Sequence, residues 1–428
     1  MPRIKIHFFE ILICLYYTWY FMPFFNTLFS DSFSKTLFLM AFIIGFLGVF
    51  FSQKHSFIVK IDLAVIAIII FYLAMIFLML TGSTGVWANI PISLSFWVTF
   101  ILFTIIPDVE VKKRIGKYLI IIFIITCLTS SIGVVLDNTA ARTIAHATSD
   151  PNLRAGYKLK NIGNVFLFQG MVFAVPITIA LSRIKEKKNW RVLGIVLVVA
   201  IGLILVNASF TIALLGYFLS IFLSIFLLGK MTPKKMFVSL LLLLLMIGIV
   251  VFGDSLLTFF AEQINNYRIT TRLLDLRDVI YRSGLLMIST DVGLRFDLYL
   301  VSWKTFVSNP FGVGGYYTYQ IYQNGIGYHS QILDDLARYG LLAIAFYMLF
   351  FNGYYIRLKK EWNKIGLSSV ALIILMIYFI FLLFNIGFRS SEESILMLFI
   401  LPILPEIVLE HESKKKIDHN NRIGRVNE

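Results

Sequence analysis

The sequence predicts an all-α, polytopic membrane protein with about twelve transmembrane helices and one long outer loop that itself contains short helices. Three observations carry this reading. Hydrophobic residues make up 58% of the chain and charged residues only 14%, against about a quarter charged in a soluble domain. The apolar residues come in unbroken runs, such as Leu63–Leu80 and 240–252, and helices apolar all the way round are buried in a large core or in lipid. Basic residues recur in every second connection between those runs.

A span needs about 20 apolar residues, because the hydrocarbon core is about 30 Å thick and a helix rises about 1.5 Å per residue. The runs place spans at 8–28, 36–52, 59–80, 89–107, 118–136, 164–181, 191–207, 210–228, 235–252, 340–357, 367–386 and 394–409. The first opens Phe8-Phe9-Glu10-Ile11-Leu12 behind Arg3 and Lys5, as a signal peptide would. It is long, and no small-residue cleavage site follows, so it reads as a retained helix. The chain then divides into nine spans (1–252), a long outer loop (253–339), three further spans (340–409) and a polar tail (410–428).

Orientation follows from the positive-inside rule. With the N-terminus inside, the inward connections hold Lys54 and Lys60; Lys112, Lys113, Arg114 and Lys117; Arg183, Lys185, Lys187, Lys188 and Arg191; Lys230, Lys234 and Lys235; and Arg357, Lys359, Lys360 and Lys364. The stretches 82–87 and 207–209 between them carry no basic residue. This pattern expects both termini in the cytoplasm and assigns much of the net charge of +14 to short loops beside anionic lipid. The lipid bilayer is therefore the expected partner of these cations, and nucleic acid is not. Cys14 and Cys127 both fall inside spans, and the six histidines are scattered. Neither a disulfide framework nor a metal site is expected, and no cofactor is implied.

Two outward connections stand apart. Residues 137–161 carry Arg142, His146, Arg154, Lys158 and Lys160 against Asp137 and Asp150. Outer loops tolerate some basic residues, but a cluster of this kind also makes an anion site, since Arg and Lys neutralise phosphate oxygens. The second connection is 253–339. Loops of this length are functional or disordered unless they have structure of their own. Helical pieces are expected at 269–282, at 294–307 with Leu294, Leu298 and Val301 near one face, and at 331–338 running into the next span. Packing on the membrane surface would explain the amphipathic pieces equally well. Between the last two lies Asn309-Pro310-Phe311-Gly312-Val313-Gly314-Gly315-Tyr316-Tyr317, a turn that could offer backbone amides.

These residues carry a resemblance. Arg295-Phe296-Asp297-Leu298-Tyr299, Trp303, the Pro310–Gly314 turn, His329-Ser330-Gln331-Ile332-Leu333 and Tyr339-Gly340-Leu341-Leu342 resemble, in order and spacing, the pattern of the O-antigen ligase and O-antigen polymerase superfamily. The specific likeness covers 295–342. The family moves an oligosaccharide from a polyprenyl pyrophosphate carrier to an acceptor hydroxyl on the outer face of the membrane. Polymerases use another carrier-linked repeat as acceptor; ligases use a different surface molecule. The resemblance implies a polyprenyl-pyrophosphate-linked oligosaccharide as substrate, with a flippase and a chain-length regulator as possible partners.

The residue chemistry fits that implication. Pyrophosphate is a good leaving group that needs its developing charge neutralised, and Arg295 is the first candidate because the family pattern puts an Arg there. The alternative for Arg295 is a helix-surface ion pair with Asp291. His329, with an ordinary pKa of about 6.5, is the candidate for accepting the acceptor's proton or donating to phosphate; a lone histidine is also often structural. Asp334 and Asp335 follow on the same helix and could orient the site or accept a proton, although an ion pair with Arg338 would explain them too. Arg142, Arg154 and Lys158, with Gly312, Gly314 and Tyr316 of the turn, are the candidate substrate-binding residues.

The chain departs from the pattern in two places. Arg338 stands where many relatives carry an acid, and Asn207-Ala208-Ser209-Phe210 lacks the Arg of a Ser-Arg pair. Arg142, Arg154 or Lys158 could supply the missing cation. Arg389 could as well, unless Glu392 and Glu393 pair with it. The absent Ser-Arg pair tips the reading toward polymerase over ligase. The rival class is a transporter or a flippase of lipid-linked sugars, which about twelve spans would also suit. Carriers keep ionisable residues deep in their helices, whereas here Glu10 and Asp62 lie near span ends.

Overall fold

In the computed structural model the regular elements of the described residues are all helical. The described residues are 2–52, 62–80, 94–106, 108–145, 150–184, 188–229, 254–255, 257–263, 270–271, 273–274, 277–278, 291–313, 325–385 and 390–411. The expected span 235–252 lies outside them, as do Gly314, Tyr316, His146 and Arg389.

Six described helices are long and apolar enough to cross a membrane: Ser32–Phe51, Val109–Leu136, Val165–Arg183, Asn189–Ala208, Leu341–Asn363 and Glu392–His411. Three shorter apolar helices, Phe8–Phe21, Thr211–Leu227 and Ser368–Phe384, accompany them. Their packing separates an inner set from an outer one. Val165–Arg183 and Glu392–His411 are buried over 56% and 61% of their most apolar stretch, but Ser32–Phe51 and Asn189–Ala208 over only 17%. A helix this apolar and this uncovered has lipid as its natural neighbour.

Local sequence explains where the helices begin. We number them in chain order. The helix α6, Val109–Leu136, starts at Asp108, whose carboxylate accepts from the Glu110 amide at 2.8 Å. The short helix α8, Pro151–Leu159, starts at Asp150 in the same way, with Pro151 in its first turn. Such caps satisfy amides that have no partner inside the helix. The final helix starts at Ser390, which accepts from the Glu393 amide at 3.1 Å. It runs Ser391–Ile395, passes through a π-helical stretch Leu396–Ile400 and continues to residue 411.

Ion pairs and hydrogen bonds define two ends of the bundle. At one end Arg114 donates twice to Glu10, at 2.8 and 2.7 Å, and Lys117 and Lys113 reach Glu410 at 2.8 and 3.3 Å. Arg357 holds Asp62 at 2.6 Å, and Lys364 joins Glu361 to Glu406. These are the basic connections that sequence assigned to one side, and Glu10 and Asp62 are their counter-charges. At the opposite end the Asn161 side chain accepts from the Phe24 amide, its carbonyl accepts from Thr129, and the Asn385 carbonyl accepts from the Gln331 amide at 3.0 Å. The candidate site sits at this second end.

Candidate functional site at the end of the bundle opposite the basic ion pairs

Two helices and a loop build the site. The first helix, α12, is Asp291–Ser308. The second, α13, is Gln331–Tyr339 and is capped by Ser330, which accepts from the Leu333 amide at 3.1 Å. The expected piece 331–338 does not run straight into the next span. Gly340, at φ +57°, breaks the chain there, and α14 starts afresh over Leu341–Asn363. A glycine at this φ avoids the penalty that a side chain would bring.

Gly340 backs directly onto the Pro-Gly turn. A Cβ on Gly340 would lie 2.1 Å from the Pro310 carbonyl oxygen, and one on Gly312, itself at φ +86°, would lie 2.2 Å from that of Arg338. The backbones interlock: Val313 donates to Ala337, Leu341 donates to Pro310, and the Gly312 amide donates to Asn309 at 2.8 Å. The amides of Gly312 and Val313 are thus engaged within the protein, and the part of the turn around Gly312 docks the end of α13. Close packing against Arg338 accounts for Gly312, while Gly314 lies outside the described residues.

The loop 325–330 lies flat on α12. A Cβ on Gly327 would lie 2.1 Å from the Leu298 carbonyl oxygen. Ser302, fully buried, ties the pieces together. Its hydroxyl donates to Asp334 at 2.6 Å and accepts from the Gly327 amide at 2.8 Å. Asp334 also accepts from the amides of Tyr328 and Ser330. Tyr328 holds a left-handed φ of +60°, a strained position for a bulky residue. The strain delivers His329 next to it. On α12, Leu298 is buried but Leu294 is 44% exposed, and the polar Ser302 is buried one turn after Leu298.

His329 is half buried. Its Nδ1 lies 3.3 Å from the Gly327 carbonyl, which can only accept, so Nδ1 carries the hydrogen and Nε2 keeps its lone pair. Burial pushes the imidazole pKa below its ordinary value, and the positive charge of Arg295 pushes the same way. Arg295 is thus in electrostatic reach of His329, one turn before Tyr299, whose hydroxyl donates to the Phe384 carbonyl at 3.0 Å. Asp291, the alternative partner of Arg295, has no described side chain.

The two acids after His329 are held differently from the expected ion pair. Among the described residues neither carboxylate lies in ion-pair contact with Arg338, whose guanidinium instead sits over the Tyr328 ring at 5.0 Å. Asp335, fully buried, accepts on one oxygen from Tyr347 at 2.6 Å and from Gln331 at 2.9 Å; its other oxygen has no partner. Burial raises both acids, Asp334 in direction and Asp335 to about 6. Ser302 and Tyr347 belong to no motif in the sequence. Tyr347 stands in an apolar span, and only the fold shows that it faces Asp335.

The basic outer loop forms a second locality. Arg142 is buried on α7, Ala140–Ala145, which packs against α6 and α8. Arg154 and Lys158 lie one turn apart on α8. Tyr157 donates a very short hydrogen bond to Asp137, which raises the phenol pKa. Burial and neighbouring Arg154 lower the Lys158 pKa, while Glu392 pulls it the other way. Lys158 and Glu392 line one cavity with Ser390, and Ser390 donates to Glu392 at 3.1 Å. Further along the long loop, Arg277 pairs with Asp278 at 2.7 Å.

Among the described residues no group of three or more His, Cys, Asp or Glu is placed to hold a metal. No family model matches the sequence, and no curated protein is similar to it.

Proposed function

We propose that this protein is a membrane glycosyltransferase that joins polyprenyl-pyrophosphate-linked oligosaccharide repeats into a surface polysaccharide. The observation that carries the reading is the convergence of Arg295 and His329. They stand apart in sequence, yet α12 and the loop on it bring them into mutual electrostatic reach, and the motif resemblance assigns chemistry to both.

The proposed step balances simply. The acceptor hydroxyl gives its proton to Nε2 of His329 as its oxygen bonds to the anomeric carbon. The bond from that carbon to the pyrophosphate oxygen breaks, and polyprenyl pyrophosphate leaves with the electron pair. Arg295 neutralises the charge developing on that leaving group, a task for a positioned cation. A lowered His329 pKa keeps the base unprotonated at neutral pH, as general-base catalysis needs. Asp334 acts through Ser302 and the Tyr328 amide, holding the loop that presents His329. Asp335 clamps α13 to α14 through Tyr347. Both are positioning residues.

A ligase would run the same step on a different acceptor. One observation favours a carrier instead: Glu393, fully buried, has no partner for either carboxylate oxygen, and buried intramembrane acids often mark transport paths. It lies in the first turn of the last helix, however, and not at mid-depth where carriers bind. Reconstitution separates these readings. Purified protein in liposomes with lipid-linked repeats and no gradient is expected to make longer glycans, and His329→Ala or Arg295→Ala is expected to stop this while inserting normally. Translocation without lengthening, or lengthening by either variant at the normal rate, refutes the proposal.

A further inference from the structure

We infer that the cavity between the end of the first helix, α8 and the start of the last helix is a binding site for a neutral sugar ring. On the proposed reading, which this inference rests on, it holds the acceptor glycan. The cavity measures about 260 Å³ and is lined by Tyr20, Asn26, Lys158, Asn164, Ser390 and Glu392 among its polar residues. This falls just under the roughly 300 Å³ at which drug-sized pockets begin, so it suits one sugar residue and not a long chain.

The lining decides the chemistry. A site built for pyrophosphate would gather cations without acids. Here the Glu392 carboxylate faces the same space as Lys158, near enough to act on its charge. Among the described residues the Lys158 ammonium and the Asn26 amide make no side-chain hydrogen bond, so donors and an acceptor remain for a ligand. Phe21 and Phe166 add aromatic surface. Hydroxyl groups that both donate and accept, on a ring with an apolar face, match this mixture; a bare anion does not.

The position also fits an acceptor. Ser390 follows Asn385 by five residues, at most about 17 Å of fully extended chain, and the Asn385 carbonyl holds the first amide of α13. A glycan seated in the cavity can therefore extend one end toward His329. Of the three cations that sequence grouped as an anion site, Lys158 lines this cavity and becomes, on this view, part of a sugar site.

Calorimetric titration of the full chain in lipid nanodiscs tests this without turnover. The probes are pyrophosphate-free oligosaccharide repeats, released by hydrolysis of the host's own surface polysaccharide, and inorganic pyrophosphate. The oligosaccharide is expected to bind, and Asn26→Ala and Glu392→Gln are each expected to weaken it by about tenfold. Size-exclusion profiles matching the unaltered protein show that the variants fold, and Lys158→Gln provides a third probe of the same wall. No oligosaccharide binding, binding unchanged in all three variants, or pyrophosphate bound there instead overturns the inference. Failure of the catalytic reading is distinct: lengthening that survives His329→Ala would sink that reading and leave the binding result standing.

Discussion

Gly327→Ala is the sharpest perturbation of the His329 loop, because the added atom has nowhere to go. Its Cβ would stand 2.1 Å from the Leu298 carbonyl oxygen, and real Cβ contacts essentially never fall below 3.0 Å. The loop must therefore retreat by at least 3.0 − 2.1 = 0.9 Å. The obstacle is helix backbone, which cannot rotate aside as a flexible side chain would. Retreat also lengthens the Gly327 amide bond to Ser302, now 2.8 Å, and loosens the link to Asp334. A displacement of about 1 Å at a reacting group lowers a rate by about 100-fold, and overpacking of this kind destabilises by about 1–3 kcal/mol. Two assays read this. Glycan lengthening by reconstituted protein should fall by about two orders of magnitude, and thermal unfolding in nanodiscs should shift down modestly. Gly156→Ala is the control, since nothing lies within 4 Å of its added Cβ. Normal lengthening and normal stability in Gly327→Ala would refute the view that this loop is pressed on α12 to place His329.

The remaining predictions concern charge and docking. Asp335 has a folded pKa raised from 3.8 to about 6, so the folded state binds its proton more tightly than the unfolded state. Stability should then fall as pH rises from about 4 to about 6, by about 3 kcal/mol at one pKa unit per 1.36 kcal/mol. Asp335→Asn should flatten that slope in unfolding scans, whereas Asp335→Ala should destabilise at every pH because it strands the buried Tyr347 hydroxyl. The acid limb of the pH–rate profile should lie below the ordinary histidine value of about 6.5, since burial and Arg295 both lower His329. Residual activity in Arg295→Gln should show that limb moved upward; an unmoved limb would mean that the two residues do not act on each other. Gly340→Ala should cost at least 1 kcal/mol from its left-handed φ alone and more from contact with Pro310, and protease cleavage around 309–313 should report the loosened turn.

Much of the architecture is legible in the chain because lipid imposes a simple rule. A helix that must satisfy its backbone in hydrocarbon is apolar along its whole length, so Ser32–Phe51 and Asn189–Ala208 announce themselves by composition. The alternation of basic loops likewise predicted the clustering of Lys113, Arg114, Lys117, Arg357 and Lys364 at one end. What periodicity could not show is which polar residue turns inward. Neither Ser302 nor Tyr347 belongs to a motif, and no sequence spacing joins Glu392 to Lys158. Their roles depend on neighbours 32, 12 and more than 200 residues away, at Asp334, Asp335 and Lys158.

The sequence by itself determined a chain of helices long and apolar enough to cross a membrane, and it marked Arg295, the Pro-Gly turn and His329 as a connected pattern. Only the tertiary structure decided what those marks do. It showed Gly312 of the turn and Gly340 after α13 to be mutual contact points, because a Cβ on either would stand 2.1–2.2 Å from a carbonyl oxygen. It also gave Asp334 and Asp335 hydrogen bonds from Ser302 and Tyr347, with Arg338 acting on both acids through its charge and not through ion-pair contact. Composition is summed along the chain and survives into sequence. A hydrogen bond is fixed by position to within a few tenths of an ångström, and that precision arises only when distant segments pack.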